Sequence, residues 1–393
     1  MNSQKPVLHL DNPQIAFAHR SNAELRKMDW LFTIMNNPTM NKLSIQALLL
    51  AINLKLPIKF LVKSTIFNHF CGGETLDECM NTITKLSKFH IGTILDYSVE
   101  GEKTEEGFDR VEEETLKTIQ IAGQQKEVPF AVFKTSGIAN VELLAKAQSG
   151  KSLDSEEEIS LNKARNRFAS LCKKASELKV RIFVDAEESW IQNTIDLWAS
   201  EEMQKYNQKE AYIYNTYQLY RDDVFSNLQA DFENARNRDY VLGAKLVRGA
   251  YMEKEAAYAA KNNLRNPIQT SKENTDKDFD LACDFCLENL NQIHFCAGSH
   301  NESSNLELAK KLDAKGISRN DERIWFAQLY GMSDNISYGL AGVGFNVAKY
   351  VPYGPVFSVM PYLVRRASEN TSVAGQTSRE LALIRAERKR RRS

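Results

Sequence analysis

Charge of one sign is what this chain lacks first: 51 basic side chains are matched by 51 acidic ones over 393 residues. That balance leaves no global field to hold a nucleic acid. Cysteine is scarce, at six residues, and its spacing forms no disulfide framework, which a chain this long does not need. Cys283 and Cys286 make a lone CxxC inside a helical pattern, with no second pair to complete a metal site. The opening residues, MNSQKPVLHLDNPQ, lack the basic flank and apolar core of a secretory signal. Residues 43–62 are the most apolar early stretch, but Lys55 and Lys59 interrupt them, so they fall short of a membrane span. No GxGxxG follows any apolar run, which speaks against a Rossmann fold; Gly342-Val343-Gly344 is only a fragment of one. Solenoid-length repeats are also missing. These absences lead to the expectation of a soluble, cytoplasmic protein.

What is present is a long alternation. Residues 1–88 read as helical, with periodicity over 21–35 and more strongly over 44–54, a segment starting at Pro57, a break at Gly72-Gly73, and a helix over 75–89. Residues 43–67 carry apolar side chains on several faces together with Lys55, Lys59 and Lys63. They are expected to cover the main domain, with contact to a membrane surface as the alternative. From Ile91 onward, short β-branched runs occur at 91–97, 128–135, 180–185, 211–216, 241–247, 293–297, 324–329 and 347–351. Helical stretches fill the gaps, among them 105–121, 155–178, 189–205, 218–237 and 276–291. Eight apolar strands alternating with amphipathic helices predict a closed (βα)8 barrel of the TIM type, an α/β fold, preceded by an N-terminal helical segment. Residues 151–160, acidic and polar, read as the loop and cap that open a long helix. The expected organisation is a helical arm over 1–88, a barrel over 89–375 and a basic tail over 376–393. The tail's RAERKRRR run at 385–392 is expected to be solvated and disordered, an anionic membrane surface being its alternative partner.

Barrel enzymes place their chemistry where strands end. The most informative stretch is YVLGAKLVRGAY at 240–251, an apolar run holding Lys245 and Arg248 and breaking at Gly249. Other predicted strand ends bring Lys134, then Asp185 with Ala186, Glu187 and Glu188, then Gln218, Tyr251, Ser299-His300-Asn301, Gln328-Leu329 and Tyr350. A purely structural barrel has no reason to bury so many polar groups at one end. The helical run YLVRRASEN at 362–370 puts Tyr362, Arg365, Arg366 and Glu369 on one broad face. Adjacent arginines offer forked donors suited to a carboxylate or phosphate.

KLVRGAY at 245–251, DAEE at 185–188, SHN at 299–301, AQLYGM at 327–332 and YLVRRASEN at 362–370 together resemble the flavin-dependent proline dehydrogenases. QIAFAHRSNAEL near the N-terminus resembles the monofunctional members. The resemblance implies a distorted (βα)8 barrel that binds FAD at its C-terminal strand ends. It implies oxidation of L-proline to Δ1-pyrroline-5-carboxylate, with electrons passed to a membrane quinone. By the same resemblance Lys134, Arg365 and Arg366 clamp the substrate carboxylate, and Leu329, Tyr350 and Tyr362 wall in its ring. Asp185 orients Tyr251 and the nearby cations. Lys245 and Arg248 are the cations beside the flavin, with backbone from Val247, Gly249 and Ala250 approaching it. Thr270 and Lys272 lie on the adenosine side, and Gln218, His300, Asn301, Gln328, Leu329 and Glu369 match ring or ribityl contacts.

Many bacterial members carry Arg and Lys in the opposite order at 245 and 248, so individual roles there are less fixed than the charge. The chain is too short for the aldehyde dehydrogenase half of the bifunctional enzymes, and release of product to a separate enzyme is expected. The same scaffold serves 4-hydroxyproline dehydrogenases; Tyr350, a bulky ring against C4 of the substrate, favours proline. More distant rivals are another flavin barrel, such as a methylenetetrahydrofolate reductase, and a barrel retained only as a binding scaffold. Peripheral contact with a membrane, and a mitochondrial location in a eukaryote, complete the expectations.

Overall fold

The computed structural model describes residues 6–54, 56–99, 102–372 and 376–392; the side chains of Asn53 and of residues 368–372 and 376–377 lie outside that description. Six helices come first: α1 (Pro13–Phe17), α2 (Asn22–Asn36), α3 (Pro38–Asn53), α4 (Lys59–Val62), α5 (Asn68–Phe70) and α6 (Leu76–Ser87), with a π-helical turn at Lys63–Phe67. Ser21 and Glu24 close a capping box at the start of α2, which fixes where that helix begins.

Eight strands then form a closed barrel: β1 (Ile91–Tyr97), β2 (Phe130–Lys134), β3 (Arg181–Asp185), β4 (Ile213–Gln218), β5 (Leu242–Val247), β6 (Ile293–Gly298), β7 (Ile324–Leu329) and β8 (Val347–Tyr353). Every neighbouring pair is parallel, and β8 closes on β1. The eight expected strands are all present. Between them lie α7 (Glu105–Gln124), α8 (Val141–Gln148), α9 (Ser155–Glu177), α10 (Ser189–Tyr206), α11 (Val224–Asn237), α12 (Met252–Asn262), α13 (Lys272–Glu288), α14 (Glu302–Ala314) and α15 (Asp334–Gly342); α16 (Met360–Ser372) and α17 (Gln376–Arg390) follow β8. Asp154 caps α9 as expected for the loop over 151–160, its side chain accepting from the backbone of Glu156 and Glu157. The helix expected from 218 starts at Val224, because Gln218 belongs to β4.

Alternation along each strand decides what faces inward. In β3, Ile182 and Val184 join the large core under the helices, whereas Phe183 packs in the barrel interior against Phe130, with ring centroids 4.3 Å apart. Asp185, two residues on, shares the inward face. Lys134 follows Phe130 and Val132 in the same way, and Lys245 alternates with the outward Ala244 and Leu246. In β8, Ala348 and Tyr350 face in, while Val347 and Val351 face out, which sends the intervening Lys349 outward.

The basic C-terminal run is not a disordered tail. It runs from α17 into the turn at 391–392, and Leu381 and Ile384 of that helix pack with Ala16, Phe17, Leu25, Met28 and Phe32 of the arm. Arg385 and Arg388 both pair with Asp29, and Arg391 donates to the carbonyls of Phe17 and Arg20 at 2.8 and 2.7 Å. Two apolar residues three apart bury one face, and a distant acidic partner meets the cations. Residues 43–67 both cover and expose. Val62 and Phe67 are buried with Leu31, Met35, Met332 and Tyr362, but Leu49, Leu50, Leu54, Leu56, Phe60 and Leu61 are exposed, Phe60 by 84%. No helix among the described residues is long and apolar enough to cross a membrane. All six cysteines are free and buried, Cys283 and Cys286 included, and the described residues hold no metal-binding cluster.

Candidate active site

The strand ends open into a cavity of about 490 Å³. Lys134, Asp185, Gln218, Lys245, Val247, Arg248, Gly249, Ala250, Tyr251, Lys272, His300, Asn301, Gln328, Leu329, Tyr350, Tyr362, Arg365 and Arg366 all line it, so nearly every residue singled out from the sequence is brought to one place. Thr270 is not: it is exposed, and its hydroxyl accepts from the Asn274 side chain at the start of α13. The side chain of Glu369 lies outside the described residues.

The floor is a fixed charge pair. Lys245 Nζ donates to Asp185 Oδ1 at 2.5 Å and to the Tyr350 hydroxyl at 2.6 Å, and that hydroxyl donates to Asp185 at 3.2 Å. The ammonium also sits 4.3 Å from the centroid of the Tyr350 ring. Asp185 therefore holds Lys245, and its hydroxyl partner is Tyr350 and not Tyr251. The reason is register: Asp185, Lys245 and Tyr350 all point inward from strands, whereas Tyr251 lies beyond the turn that follows β5. Burial pushes the Tyr251 phenol above its usual range, with Lys134 and Arg365 pulling down and Glu187 and Glu188 pushing up. Tyr251 thus belongs to the cation-rich side of the cavity.

Three cations line the cavity, Lys134 from β2 and Arg365 and Arg366 from α16, and the first two act on Tyr251. Arg366 is buried, with its guanidinium carbon 5.4 Å from the centroid of Tyr362. Leu329, Tyr350 and Tyr362 supply apolar surface in the same cavity. Such a set can hold a small anion by its charge while excluding water from the rest of the molecule.

The rest of the lining is made of side chains held by neighbours. Arg248 donates to Asp276 at 2.5 Å, Ser299 at 2.7 Å and Ser304 at 2.9 Å, and packs over Phe279. Lys272 reaches the other oxygen of Asp276 at 2.5 Å. Gln218 donates to the Glu187 carbonyl and Gln328 to the Ser299 carbonyl; Asn301 caps α14. Burial drives the His300 imidazole down to about 3, helped by Lys349, Arg366 and Arg248, so it is neutral. The Leu329 N–H donates to its Nε2, leaving Nδ1–H to donate to Ser333 Oγ at 2.9 Å. Gly249 has φ +115°, and a Cβ there would run into the Tyr220 ring. The sequence suggested a glycine that gives a ligand room; the first obstacle is in fact Tyr220.

Sequence reasoning missed Asp96 at the end of β1, Asp276 and Ser304 behind Arg248, and the contribution of α17, which brings Arg379, Glu380 and Leu383 to the cavity. Asp96 was within reach of the strand-end argument. The α17 residues carried no signal, because a basic run without a visible partner reads as tail.

Comparisons with known proteins agree with this architecture. A family model described as "Proline dehydrogenase" matches residues 79–379. The chain is 34% identical over 330 residues to the carbapenem antibiotics biosynthesis protein CarD of Pectobacterium carotovorum subsp. carotovorum, covering 84% of this chain and 85% of that one. It is 33% identical over 385 residues to mitochondrial proline dehydrogenase 1 of Dictyostelium discoideum, covering 86% and 67%. Hydroxyproline dehydrogenase of Xenopus laevis is 30% identical over 365 residues, covering 84% and 78%. Among solved structures, proline utilization A from Bdellovibrio bacteriovorus, inactivated by N-propargylglycine, superposes with a TM-score of 0.72 at 20% identity; the match covers 92% of this chain but only 38% of that one, and at that identity shows the fold alone. The family model takes in all eight strands and the arginine pair of α16, and the chain belongs to the proline dehydrogenase family.

Proposed function

We propose that the protein oxidises L-proline to Δ1-pyrroline-5-carboxylate with FAD as hydride acceptor, and that a membrane quinone receives the electrons. The observation that carries this reading is the meeting of Lys134, Arg365 and Arg366 with the apolar walls Leu329, Tyr350 and Tyr362 in one cavity. A cyclic amino acid needs both: cations for its carboxylate and a dry wall for its ring.

The remaining wall suits a flavin nucleotide. The whole cavity, at about 490 Å³, lies in the ordinary range of small-molecule and cofactor sites, about 300–1,000 Å³. Arg248 and Lys272 offer positive charge for a diphosphate, while Gln218, Asn301 and Gln328 offer amide groups for a polar ring and its ribityl chain. Bound FAD supplies the electrophilic centre for hydride removal, which no side chain can provide.

The chain's own residues do the rest. The two guanidinium groups and Lys134 fix the carboxylate, which orients the substrate ring. Tyr251 stays protonated and adds a hydrogen-bond donor beside them. Lys245, held by Asp185 and Tyr350, is a positive charge already in place on the cavity floor, able to stabilise negative charge that develops there. Tyr350 is 6% exposed and packs parallel to Phe183, so a 4-hydroxyl would meet a filled wall; this supports proline over trans-4-hydroxyproline.

Transfer to a quinone is supported by the exposed apolar face of α3 and α4, which suits a bilayer surface touched peripherally and not spanned. The protein would act in the cytoplasm, or in the mitochondrion of a eukaryote. Steady-state assays with a soluble quinone test the reading: kcat/KM for L-proline should exceed that for trans-4-hydroxyproline at least about tenfold. Equal values would sink the substrate assignment, and no turnover of either would sink the activity.

A further inference from the structure

The connection between β7 and α15, residues 330–333, has little regular structure, yet it sets one side of the cavity. Leu329, Met332 and Ser333 line the cavity, and Ser333 Oγ is the partner of His300. Ser333 itself has φ +51°. Backbone of this kind keeps one conformation only where its surroundings hold it.

Those surroundings come largely from outside the barrel. Lys349, fully buried and pointing outward from β8, donates to the carbonyl of Met332 at 2.5 Å, to that of Leu329 at 3.4 Å and to Asp334 Oδ1 at 2.8 Å. Asp334 Oδ2 accepts from Arg20 Nη2 at 3.2 Å and lies 3.4 Å from His19 Nε2. Both residues sit in the turn between α1 and α2. Burial alone would raise the Asp334 carboxyl, but Lys349, His19 and Arg20 hold it well below its ordinary value. Further along, His69 Nε2 meets the Gly331 carbonyl at 2.8 Å. Gly331 has φ +78°, and a Cβ there would strike the His69 carbonyl oxygen, so loop and arm are built against each other. The arm also packs on α15, where a Cβ at Gly339 would come 3.0 Å from the His9 carbonyl.

We propose that the N-terminal arm is part of the working site: Arg20, through Asp334 and Lys349, is a positioning residue that fixes residues 329–333 and so places Leu329 and the His300–Ser333 pair in the cavity. A buried ion cluster often adds little net stability. Here its lysine spends two donors on the carbonyls of residues that line the cavity, which is what a positioning role requires.

The consequence for substrate binding rests on the proline reading; the consequence for the loop does not. The test compares the purified, cofactor-loaded wild type with Arg20→Met, Arg20→Lys and Asp334→Asn. Hydrogen exchange is followed for the amides of Tyr330, Met332 and Ser333, which donate to Tyr350, Leu329 and Glu380. Arg20→Met should raise exchange over 330–337 about tenfold or more while β2 to β5 keep their protection. The KM for L-proline should rise about tenfold, with a smaller change in kcat. Arg20→Lys should recover most of both effects. If Arg20→Met does not fold, Asp334→Asn, which keeps an acceptor for Lys349, should show the same local loosening. Lower thermal stability with wild-type loop exchange and wild-type KM would overturn the proposal. Should the wild type fail to oxidise proline, the activity reading falls while the exchange data still decide the role of Arg20.

Discussion

Two lysine–aspartate pairs stand at the C-terminal end of the barrel, and neighbouring residues of β8 take part in them: Tyr350 in one, Lys349 in the other. Lys245–Asp185 faces inward, its side chains 8% and 14% exposed, and borders the cavity. Lys349–Asp334 faces outward at 1% and 3%, sealed beneath the arm. The strand's two-residue alternation alone sends them to opposite sides. The inward pair can exchange part of its bonding with a ligand. The outward pair can bond only to protein, so its charge is spent on holding a loop. One chemistry serves two purposes, and solvent access separates them.

Substitutions can break that comparison. The largest stability effect should come from Asp334→Ala, which strands Lys349 and Arg20; a loss of about 3–5 kcal/mol is expected in denaturant unfolding. Lys245→Met should leave stability close to wild type yet slow turnover by about a hundredfold or more, as expected when preorganised charge is removed from a site. If the two variants exchanged these phenotypes, the assignment of an open and a sealed pair would be reversed. Arg365→Ala should mainly raise the KM for proline, by about ten- to a hundredfold, through loss of charge-assisted bonds worth about 1.5–3 kcal/mol; an unchanged KM would refute the carboxylate clamp. Tyr350→Ser should improve trans-4-hydroxyproline relative to proline, by less than about a hundredfold in the ratio of kcat/KM.

The smallest effect sharpens the comparison through pH. Asp334 is held below its ordinary value of 3.8, so its contribution to stability is full above that value and is lost as pH falls. Glu380 has the opposite sign. Burial, reinforced by Asp334, pushes its carboxyl from 4.5 up to about 8 against the pull of the Ser333 N–H, Lys349 and Arg20. The folded state then binds this proton more tightly than the unfolded one, and stability declines as pH rises from about 4.5 to about 8. Glu187, raised by burial to about 7, adds to the decline in the lower part of that window. Glu380→Gln keeps an acceptor for Ser333 and should flatten the fall in Tm between pH 6 and 8.5; a slope equal to wild type would show that Glu380 is already ionised.

Much of the inward-facing chemistry was legible in the sequence, because it rests on short-range rules. Strand periodicity located Lys134, Asp185, Lys245 and Tyr350, and helical spacing put Tyr362, Arg365 and Arg366 on one face. What stayed hidden depends on partners far apart in the chain. Arg20 and Asp334 are 314 positions apart, and Arg385 and Asp29 are 356. No local pattern announces that Leu381 and Ile384 will meet Phe17 and Phe32, so α17 read as a tail. Exchanging Tyr251 for Tyr350 as the partner of Asp185 is a subtler miss of the same kind, since both tyrosines lie near strand ends and only the packing of β3, β5 and β8 selects one.

Anaerobic titration of the purified protein with L-proline, followed by visible absorption, tests the central claim most directly. The account predicts a protein that carries a flavin spectrum and is bleached by L-proline as completely as by dithionite. A protein that holds flavin and is bleached by dithionite but not by L-proline, or one that takes up no FAD, would contradict it.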